Sequence, residues 1–429
     1  MSLDLPALVS LSPASGVPWV VLLAIVTTLV VIVLRPRGIG EVWAAAGGAA
    51  AMIAVGAVRL SDVREVARST SSVLLFLLGM MTLSWLVEQA GVFDRLAEWV
   101  ARLAGGSGLM LLVLVFLLAA GVTALLSLDV TVLLLTPIVF SLTTRRHLDT
   151  LPFVFACTFV ANTGSLILPI SNLTNLLVYD QLHLGFAPFV GRMWLPNLVA
   201  VAVNLAVFLW LFRDRLPRRF DDAAADMPLG DWWFHAAGVV LAATLVGLVG
   251  AGLGERPLAD VALAGGGLLA VIGLTGRRVR LVDLAGGISW PLFVFVLGMA
   301  LIVRGFEHAW LDRLDVPLPT RLLPALLLAV GGSALGSNVV NNVPMTLFSL
   351  TLIARNEGPA REALAYGTLV GANIGPTLTT YGSLATMLWF ALIRRRGMDV
   401  STTAYLKVAL MTTPAVLAAT TLTLWLVMR

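Results

Sequence analysis

The chain has 429 residues, of which 59% are hydrophobic and only 12% are charged, and its mean hydropathy is +0.95. A soluble protein usually carries about 25% charged residues, so this composition excludes an ordinary soluble domain and is typical of a polytopic membrane protein. The net charge of +4 comes mostly from arginine clusters in short loops, which indicates membrane orientation rather than nucleic-acid binding. The single cysteine, Cys157, excludes an internal disulfide and a metal site built from several thiolates.

Apolar segments that are long enough to cross the membrane recur along the whole chain. A helix that crosses the ~30 Å hydrocarbon core needs about 20 residues. The tail before Gly16 has no basic residues, so the first apolar segment is expected to be a true span rather than a cleaved signal. The predicted spans lie near residues 18–35, 41–59, 70–90, 151–178, 194–212, 232–253, 259–275, 288–304, 363–390 and 403–427.

Two further apolar blocks, at about 108–143 and 323–353, are each interrupted halfway by polar residues. The first interruption is Ser127-Leu128-Asp129, and the second runs from Gly336 to Asn342. Each block is compatible with two full crossings or with one re-entrant hairpin whose tip lies at mid-membrane. We favour hairpins, because an aspartate at the turn would be poorly placed in a loop that faces lipid.

The arginine clusters indicate how the chain is oriented in the membrane. When the N-terminal tail, which is nearly uncharged, is placed outside, every dense basic loop falls on the cytoplasmic side, as the positive-inside rule expects. This orientation places both chain termini outside. The loops concerned carry Arg35 and Arg37, Arg95 and Arg102, Arg145 and Arg146, Arg213 to Arg219, Arg277 to Arg280, and Arg394 to Arg396.

The two halves of the chain resemble each other. Leu78-Gly79-Met80, followed by Glu88 and Asp94-Arg95-Leu96, matches Leu297-Gly298-Met299, followed by Glu307 and Asp312-Arg313-Leu314. We therefore predict a first repeat over 1–215, a cytoplasmic linker over 216–231 and a second repeat over 232–429. Each repeat has five crossings and one hairpin. Because five is odd, the second repeat enters the membrane upside down, which is the inverted topology common among secondary transporters.

Segments 151–178 and 363–390 are predicted to be broken helices. The first has 28 residues and would be ~42 Å long as a straight helix, which is well beyond the hydrocarbon core. Glycine and proline fall inside both segments, and the freed backbone must be satisfied by protein or by an aqueous cavity. Such residues also simply kink membrane helices. Two breaks at matching places, each preceded by a polar hairpin tip, favour a binding site at mid-membrane.

Asp129 is the only acid that the prediction places deep in the membrane. A carboxylate there is costly, so intramembrane acids are functional candidates by default. We predict that Asp129 carries a coupling proton, and the alternative is a hydrogen-bonded structural acid. The corresponding stretch of the second half, near Asn342, has no acid.

Amides and hydroxyls surround the predicted breaks, without Arg, Lys or His. This chemistry favours a small neutral polyhydroxy solute or a bare Na⁺, and it disfavours an anion without excluding one, because helix N-termini alone can hold anions. The four histidines lie at span ends or in loops, which argues against an intramembrane enzyme, and no metal or cofactor site is predicted. The candidate substrate-binding residues are Asn162, Thr163, Ser165, Asn172, Asn175, Asn338, Asn341, Asn342, Asn373, Thr377, Ser383 and Thr386.

Several of these motifs resemble the ArsB-type arsenite/antimonite efflux permeases of the ion transporter superfamily. The resemblance runs from Leu34 to Pro414, which is almost the whole chain. The broad pattern is shared with Na⁺/H⁺ antiporters and dicarboxylate carriers. The motif from Gly382 to Trp389 points more narrowly to the arsenite branch. The motifs are Leu134-Leu135-Thr136-Pro137-Ile138, Ala161-Asn162-Thr163-Gly164-Ser165, Ser171-Asn172-Leu173-Thr174-Asn175, Asn341-Asn342-Val343-Pro344 and Gly382-Ser383-Leu384-Ala385-Thr386-Met387-Leu388-Trp389.

The resemblance implies an integral protein of the prokaryotic inner membrane that exports As(III) and Sb(III) in exchange for protons by alternating access. As(OH)₃ is a neutral trihydroxy solute at pH 7, which agrees with the uncharged inventory of residues. Some members also serve as the channel for a cytosolic arsenite-stimulated ATPase, which would then be a partner, and we expect a homodimer in the lipid membrane. The alternative function is a Na⁺/H⁺ antiporter or another ion or anion transporter of the same superfamily.

The chain also departs from the pattern of the family that it resembles. Members of that family carry an acid at the place of Asn162, and an Asp and a Lys at the places of Asn373 and Thr377. Leu128 replaces an Asn before the hairpin aspartate. These changes leave Asp129 nearly alone as a titratable group in the predicted site.

Overall fold

The computed structural model describes residues 17–34, 40–220, 230–310, 318–354 and 359–429. Three features of the sequence prediction lie outside these residues. They are the basic loop at Arg35 to Arg37, the Asp312-Arg313-Leu314 part of the repeat, and most of the linker over 216–231. The described helices confirm the all-α class, and no strand occurs within the described ranges.

Nineteen α-helical segments build the described part of the chain, and nine of its helices are long and apolar enough to cross a membrane. The segments are α1 (Val17–Leu34), α2 (Glu41–Ala54), α3 (Leu60–Gln89), α4 (Val92–Leu103), α5 (Gly108–Leu125), α6 (Leu128–Val130), α7 (Thr136–Arg145), α8 (Leu151–Thr163), α9 (Leu173–Gln181), α10 (Phe186–Phe212), α11 (Trp232–Leu253), α12 (Leu258–Thr275), α13 (Leu281–Gly287), α14 (Trp290–Trp310), α15 (Leu322–Val340), α16 (Asn342–Ile353), α17 (Pro359–Ile374), α18 (Leu384–Arg395) and α19 (Thr402–Met428).

One compact unit contains α1, α2, the first turns of α3, and α14. Helices α2 and α14 approach closely at Gly298, where an added Cβ would lie 2.9 Å from the carbonyl oxygen of Ala45. The end of α14 is held by a hydrogen bond of 2.9 Å from Nε1 of Trp310 to the carbonyl of Pro18. The absence of a side chain at Gly298 is therefore what allows these two helices to pack at this distance.

The second unit contains the rest of α3, the helices from α4 to α13, and those from α15 to α19. Here α3 meets α12 at Gly79, where an added Cβ would lie 2.4 Å from the backbone of Ala262. Gly79 and Gly298 are matching positions of the sequence repeat. In both places the third long helix of one half packs against the second helix of the other half, so each half supplies one helix to each contact.

The two interrupted apolar blocks each form a helix, a tight turn and a second helix. In the first block, α5 and the continuous arm Leu128–Arg145 have 18 residues each, or about 27 Å. The second arm contains a wide π-helical turn at Thr131–Leu135, and such turns are frequent at functional sites. These arms are long enough to cross most of the hydrocarbon core, so the depth of the hairpin tips stays a prediction.

The two predicted breaks are present as interruptions between short helices. The first lies between α8 and α9 and contains the 3₁₀ turn Pro169–Ser171, and the second lies between α17 and α18 and contains the turn Gly375–Leu378. The amphipathic helix α4 and the short helix α13 were not predicted, because neither has a long apolar run. Both breaks belong to the second unit.

Candidate functional site

The first break is held open by two asparagine side chains. Helix α9 begins at Asn172, whose side-chain oxygen accepts from the backbone N–H of Thr174 at 3.2 Å and caps the helix. Asn175 donates from Nδ2 to the carbonyls of Ser165 at 2.7 Å and Leu168 at 2.9 Å. These bonds satisfy backbone carbonyls that lipid could not satisfy. The unwound segment is therefore built into the fold and is more than a kink.

The second break is stabilised in a comparable way from the second hairpin. Asn338 donates from Nδ2 to the carbonyl of Gly375 at 2.7 Å and accepts from the hydroxyl of Thr379 at 2.8 Å. Ser383 caps α18 by accepting from the N–H of Thr386 at 3.1 Å. Each break thus ends in a helix whose N-terminal cap is one of the predicted site residues.

The tip of each hairpin is hydrogen-bonded directly to the neighbouring break. In the first half, the hydroxyl of Ser171 donates to the carbonyl of Ala124 at 2.7 Å. In the second half, the N–H of Asn342 donates to the carbonyl of Gly382 at 3.0 Å, and Nδ2 of Asn341 lies 3.3 Å from the carbonyl of Tyr381. Hairpin tip and break therefore lie at the same level within each half.

The two breaks meet at Asn373. Its Oδ1 accepts from Nδ2 of Asn172 at 2.9 Å and from the hydroxyl of Thr174 at 2.5 Å. Its Nδ2 donates to Oδ1 of Asn175 at 2.7 Å. All four side chains are buried. About 200 residues of sequence separate the partners, so this amide cluster joins the two halves of the chain at a single point.

A small cavity lies beside this cluster, at the tip of the first hairpin. Its volume is about 50 Å³, and Asp129 and Asn172 contribute its polar wall together with Ser127 and Ser84. One water-sized group occupies roughly 10–15 Å³, so the cavity has room for three or four such groups. The remaining lining is apolar and is formed by Phe76, Leu77, Met80, Met81, Trp85, Leu126, Val130, Leu133, Leu134, Ile170, Leu173, Leu176 and Gly287.

Asp129 is the only titratable group in the wall of this cavity. Among the described residues, no arginine, lysine or histidine forms an ion pair with its carboxylate. It lies in the first turn of the second hairpin arm, directly before the π-helical turn. An unpaired carboxylate in apolar surroundings is costly as an ion, so its charge can be neutralised only by a proton or by a bound cation.

Some predicted site residues lie away from this cavity. Asn162 donates to the carbonyl of Thr158 on its own helix at 3.0 Å, and its buried Oδ1 has no hydrogen-bond partner among the described residues. Thr163 accepts from Nδ2 of Asn204 on α10 at 2.7 Å, and Thr377 shares a 2.7 Å hydrogen bond with Thr413 on α19. These contacts tie the breaks to neighbouring helices, and the part of these residues in transport stays a prediction.

Several polar residues near the breaks were missed by the sequence reasoning. Thr174 contacts Asn373 directly, and Asn197 accepts from the N–H of Leu166 at 3.0 Å inside the first break. Asn197 and Asn204 are seven residues apart on one face of an otherwise apolar span. That spacing was a readable signal, because lone amides on one side of a membrane helix usually face protein.

The described residues contain no group of three or more His, Cys, Asp or Glu side chains that could hold a metal ion. The chemistry that the site does offer is hydrogen bonding by amides, hydroxyls and backbone carbonyls, with one carboxylate beside them. Two broken helices that meet, each beside a polar hairpin tip, are the arrangement typical of the binding sites of membrane transporters.

Comparison with known proteins agrees with this class. The citrate transporter family (CitMHS) matches residues 22–371. The arsenical pump membrane proteins of Escherichia coli K12 and Yersinia enterocolitica are 30% and 31% identical over 409 residues, with 92% of this chain and 95% of each relative covered. The chain therefore belongs to the citrate transporter family and to the ArsB-type arsenical pump membrane proteins.

A more distant relative and one solved structure extend the comparison. A putative arsenical pump membrane protein of Bacillus subtilis is 24% identical over 427 residues, covering 92% of this chain and 96% of that protein. The YdaH transporter of Alcanivorax borkumensis has a crystal structure that matches with a TM-score of 0.56 over 96% of this chain and 97% of that chain. The sequence identity of that pair is 15%, so this match concerns the fold alone.

Proposed function

We propose that this protein exports arsenite and antimonite, as neutral As(OH)₃ and Sb(OH)₃, in exchange for protons. The observation that carries the proposal is the lone carboxylate of Asp129 in a cavity whose other polar groups are all uncharged. The family relationship supports a transporter of the arsenical pump type. The uncharged lining of the cavity supports a neutral substrate, and the single carboxylate of Asp129 supports one coupling proton.

The cavity suits a neutral trihydroxy solute in both size and chemistry. As(OH)₃ has four heavy atoms, which matches a cavity that accepts three or four water-sized groups. Each hydroxyl of the solute both donates and accepts, so it can bond to serine hydroxyls and to the amide of Asn172. A citrate-like anion would normally need an arginine or lysine, and the lining contains neither.

In this proposal Asp129 takes up a proton from the outside after the substrate has left, holds it while the empty site returns, and releases it to the cytoplasm when the next substrate binds. A carboxylate without a cation partner can be carried through apolar surroundings at low cost only in the neutral form. Exchange of one proton for one neutral solute follows from a single titratable group. Alternating access would move hairpins and broken helices relative to the other spans and expose the cavity to each side in turn.

We place the protein in the prokaryotic inner membrane with both termini outside, on the arginine distribution of the loops. A homodimer and a cytosolic arsenite-stimulated ATPase are proposed partners. The competing function is Na⁺/H⁺ exchange, in which Asp129 and the neighbouring amide and hydroxyl oxygens would hold the cation.

The test is uptake of As(III), Sb(III) and Na⁺ by everted membrane vesicles under an imposed pH gradient. We expect As(III) uptake by the wild type and a loss of at least tenfold in Asp129→Asn. Asp399→Asn is the matched control, because Asp399 is exposed and, among the described residues, its one ion pair is with Arg394 at 3.5 Å. Na⁺ uptake without As(III) uptake would contradict the arsenite proposal. Undiminished As(III) uptake in Asp129→Asn would contradict the role of Asp129 in carrying the proton.

A further inference from the structure

An apolar groove runs between α15 and α19 on the outside of the second unit. Its volume is about 480 Å³, and four of its ten lining residues are leucines. Leu323, Leu327 and Leu422 are exposed large side chains within it. Gly331 at one end has no atom within 4 Å of where a Cβ would stand, so the groove stays open there. None of its lining residues belongs to the cavity beside Asp129.

The two helices that form the groove run in opposite directions. Gly375 packs against Ala334 of α15, and the following Thr377 shares a hydrogen bond with Thr413 of α19. The start of α19 that lines the groove therefore lies beside the tip end of α15. It follows that Trp425, near the end of α19, lies beside the beginning of α15 at Leu323, where it lines the same groove.

The length of the groove matches one leaflet of a bilayer. From Leu323 to Gly331 the helix rises about 12 Å, and from Pro414 to Trp425 about 16 Å. Half of the ~30 Å hydrocarbon core is about 15 Å. The length of the groove therefore equals the depth to which one acyl chain reaches into the membrane. The groove is too short to hold a complete transmembrane helix.

Positive charge and an indole ring stand at the outer end of this groove. The guanidinium of Arg429 lies 5.3 Å from the ring centroid of Trp425, and Arg321 is exposed directly before α15 begins. The only acid of α17 near this end, Glu362, is paired with Arg192 at 3.6 Å. Arginine beside tryptophan at the end of a membrane helix is typical of the headgroup level, where anionic lipids bind.

We propose that this groove, formed by α15 and α19, is a binding site for one anionic phospholipid. One acyl chain lies along the leucines and reaches Gly331, and the phosphate lies between Arg321 and Arg429. The occupant is a lipid rather than a second copy of the chain, because the groove has leaflet length and its two arginines complement a phosphate. Since α15 is an arm of the second hairpin, the lipid contacts an element that also carries Asn338. The site does not depend on which solute is transported.

The test measures lipid that stays bound to the purified full chain after exchange into equimolar phosphatidylglycerol and phosphatidylethanolamine. Native mass spectrometry measures how much of each lipid is bound and how much of the protein is monomer or dimer. Each arginine near a membrane surface gives roughly a fivefold preference for anionic lipid. We expect Arg321→Gln with Arg429→Gln to lower the retained ratio of phosphatidylglycerol to phosphatidylethanolamine at least fivefold. Arg394→Gln with Arg395→Gln removes two arginines at another membrane surface, outside the groove, and therefore measures the loss that charge alone gives. Its ratio should stay at least twofold above that of the groove variant.

A second variant tests the acyl-chain part of the site. Gly331→Leu places a side chain at the open end, where nothing lies within 4 Å of the added Cβ, and should lower the retention of both lipids by at least threefold. A ratio in the double arginine variant equal to that of its control would overturn the proposal. So would loss of the dimer in Gly331→Leu with unchanged lipid retention, because the groove would then belong to a second copy of the chain.

Discussion

Nδ2 of Asn172 donates a 2.9 Å hydrogen bond to Oδ1 of Asn373, and this bond connects the first broken helix to the second. Asn172 is the cap of α9 and so points out of the helix end, while Asn373 lies in the last turn of α17. The two halves of the chain therefore share a cluster of buried hydrogen bonds, centred on Asn373, at the place where both helices are interrupted.

Replacing Asn373 with leucine tests this contact, because the volume stays similar while every polar atom is lost. The hydroxyl of Thr174 and Oδ1 of Asn175 would each lose their partner, at a cost of about 1–3 kcal/mol each, while Nδ2 of Asn172 would keep only its 3.4 Å bond to Ser165. We expect the free energy of unfolding to fall by at least about 2 kcal/mol, measured by thermal or denaturant unfolding in detergent. Thr275→Val is the control, since that exposed hydroxyl bonds only to its own helix. A loss within about 1 kcal/mol would contradict the role assigned to Asn373.

Asn341 provides a test of backbone strain at the second hairpin tip. Its φ of 76° and ψ of 155° fall in a region that is essentially reserved for glycine and costs about 1–3 kcal/mol for other residues. Glycine and alanine at this position both lack the side-chain bonds to Tyr381 and Val343, so a comparison of the two variants isolates the backbone. We expect Asn341→Gly to be more stable than Asn341→Ala by about 1–3 kcal/mol. Equal melting temperatures of the two variants would show that the tip is unstrained.

The sequence predicted a large part of this fold because each signal was local. Spans followed from length and hydropathy, and the breaks followed from excess length together with Gly164 and Pro169. The caps at Asn172 and Ser383 were also within the predicted polar clusters. The amphipathic helix α4 was not predicted, because its 12 residues contain no long apolar run.

The pairing of the amides could not be predicted from the sequence. Asn162 and Asn172 look equally suited to a site in the sequence, but the first bonds to the carbonyl four residues before it and the second bonds across to Asn373. The difference is one of direction: Asn162 is inside a regular helix, where the carbonyl at i−4 is always in reach. Which polar group faces which depends on tertiary packing over about 200 residues of separation.

Asp231 allows a prediction of pH dependence outside the membrane spans. The backbone N–H of Phe234 and the guanidinium of Arg278 lower the pKa of its carboxyl below the ordinary value of 3.8. A group whose pKa is lower in the folded state stabilises above its unfolded pKa, and this contribution is lost as the pH falls through the folded pKa. Asp231→Asn keeps a good helix cap but removes the charge. We expect the wild type to melt above the variant at pH 6, and the difference to shrink steadily below pH about 3.8. A constant difference down to pH 2 would contradict the charge effect.

Two neighbouring glycines of α12 give a matched test of the contact between α3 and α12. An added Cβ at Gly266 would lie 2.5 Å from the carbonyl oxygen of Gly79, and backbone atoms cannot move aside as a flexible side chain can. At Gly267 nothing lies within 4 Å of the same atom. Gly267→Ala should therefore leave stability unchanged or raise it by up to about 1 kcal/mol, because alanine favours the helix.

Gly266→Ala makes the same chemical change one residue earlier, so helix propensity cancels between the two variants. The clash with α3 forces the two helices apart, and overpacking of this kind costs about 1–3 kcal/mol. We expect the melting temperature of Gly266→Ala in detergent to fall below that of Gly267→Ala, with a difference in unfolding free energy of about 2 kcal/mol or more. Equal stability of the two variants would mean that α3 and α12 do not pack at this distance in the folded protein. The matching contact at Gly298 and Ala45 would then lose its support as a repeated feature of the fold.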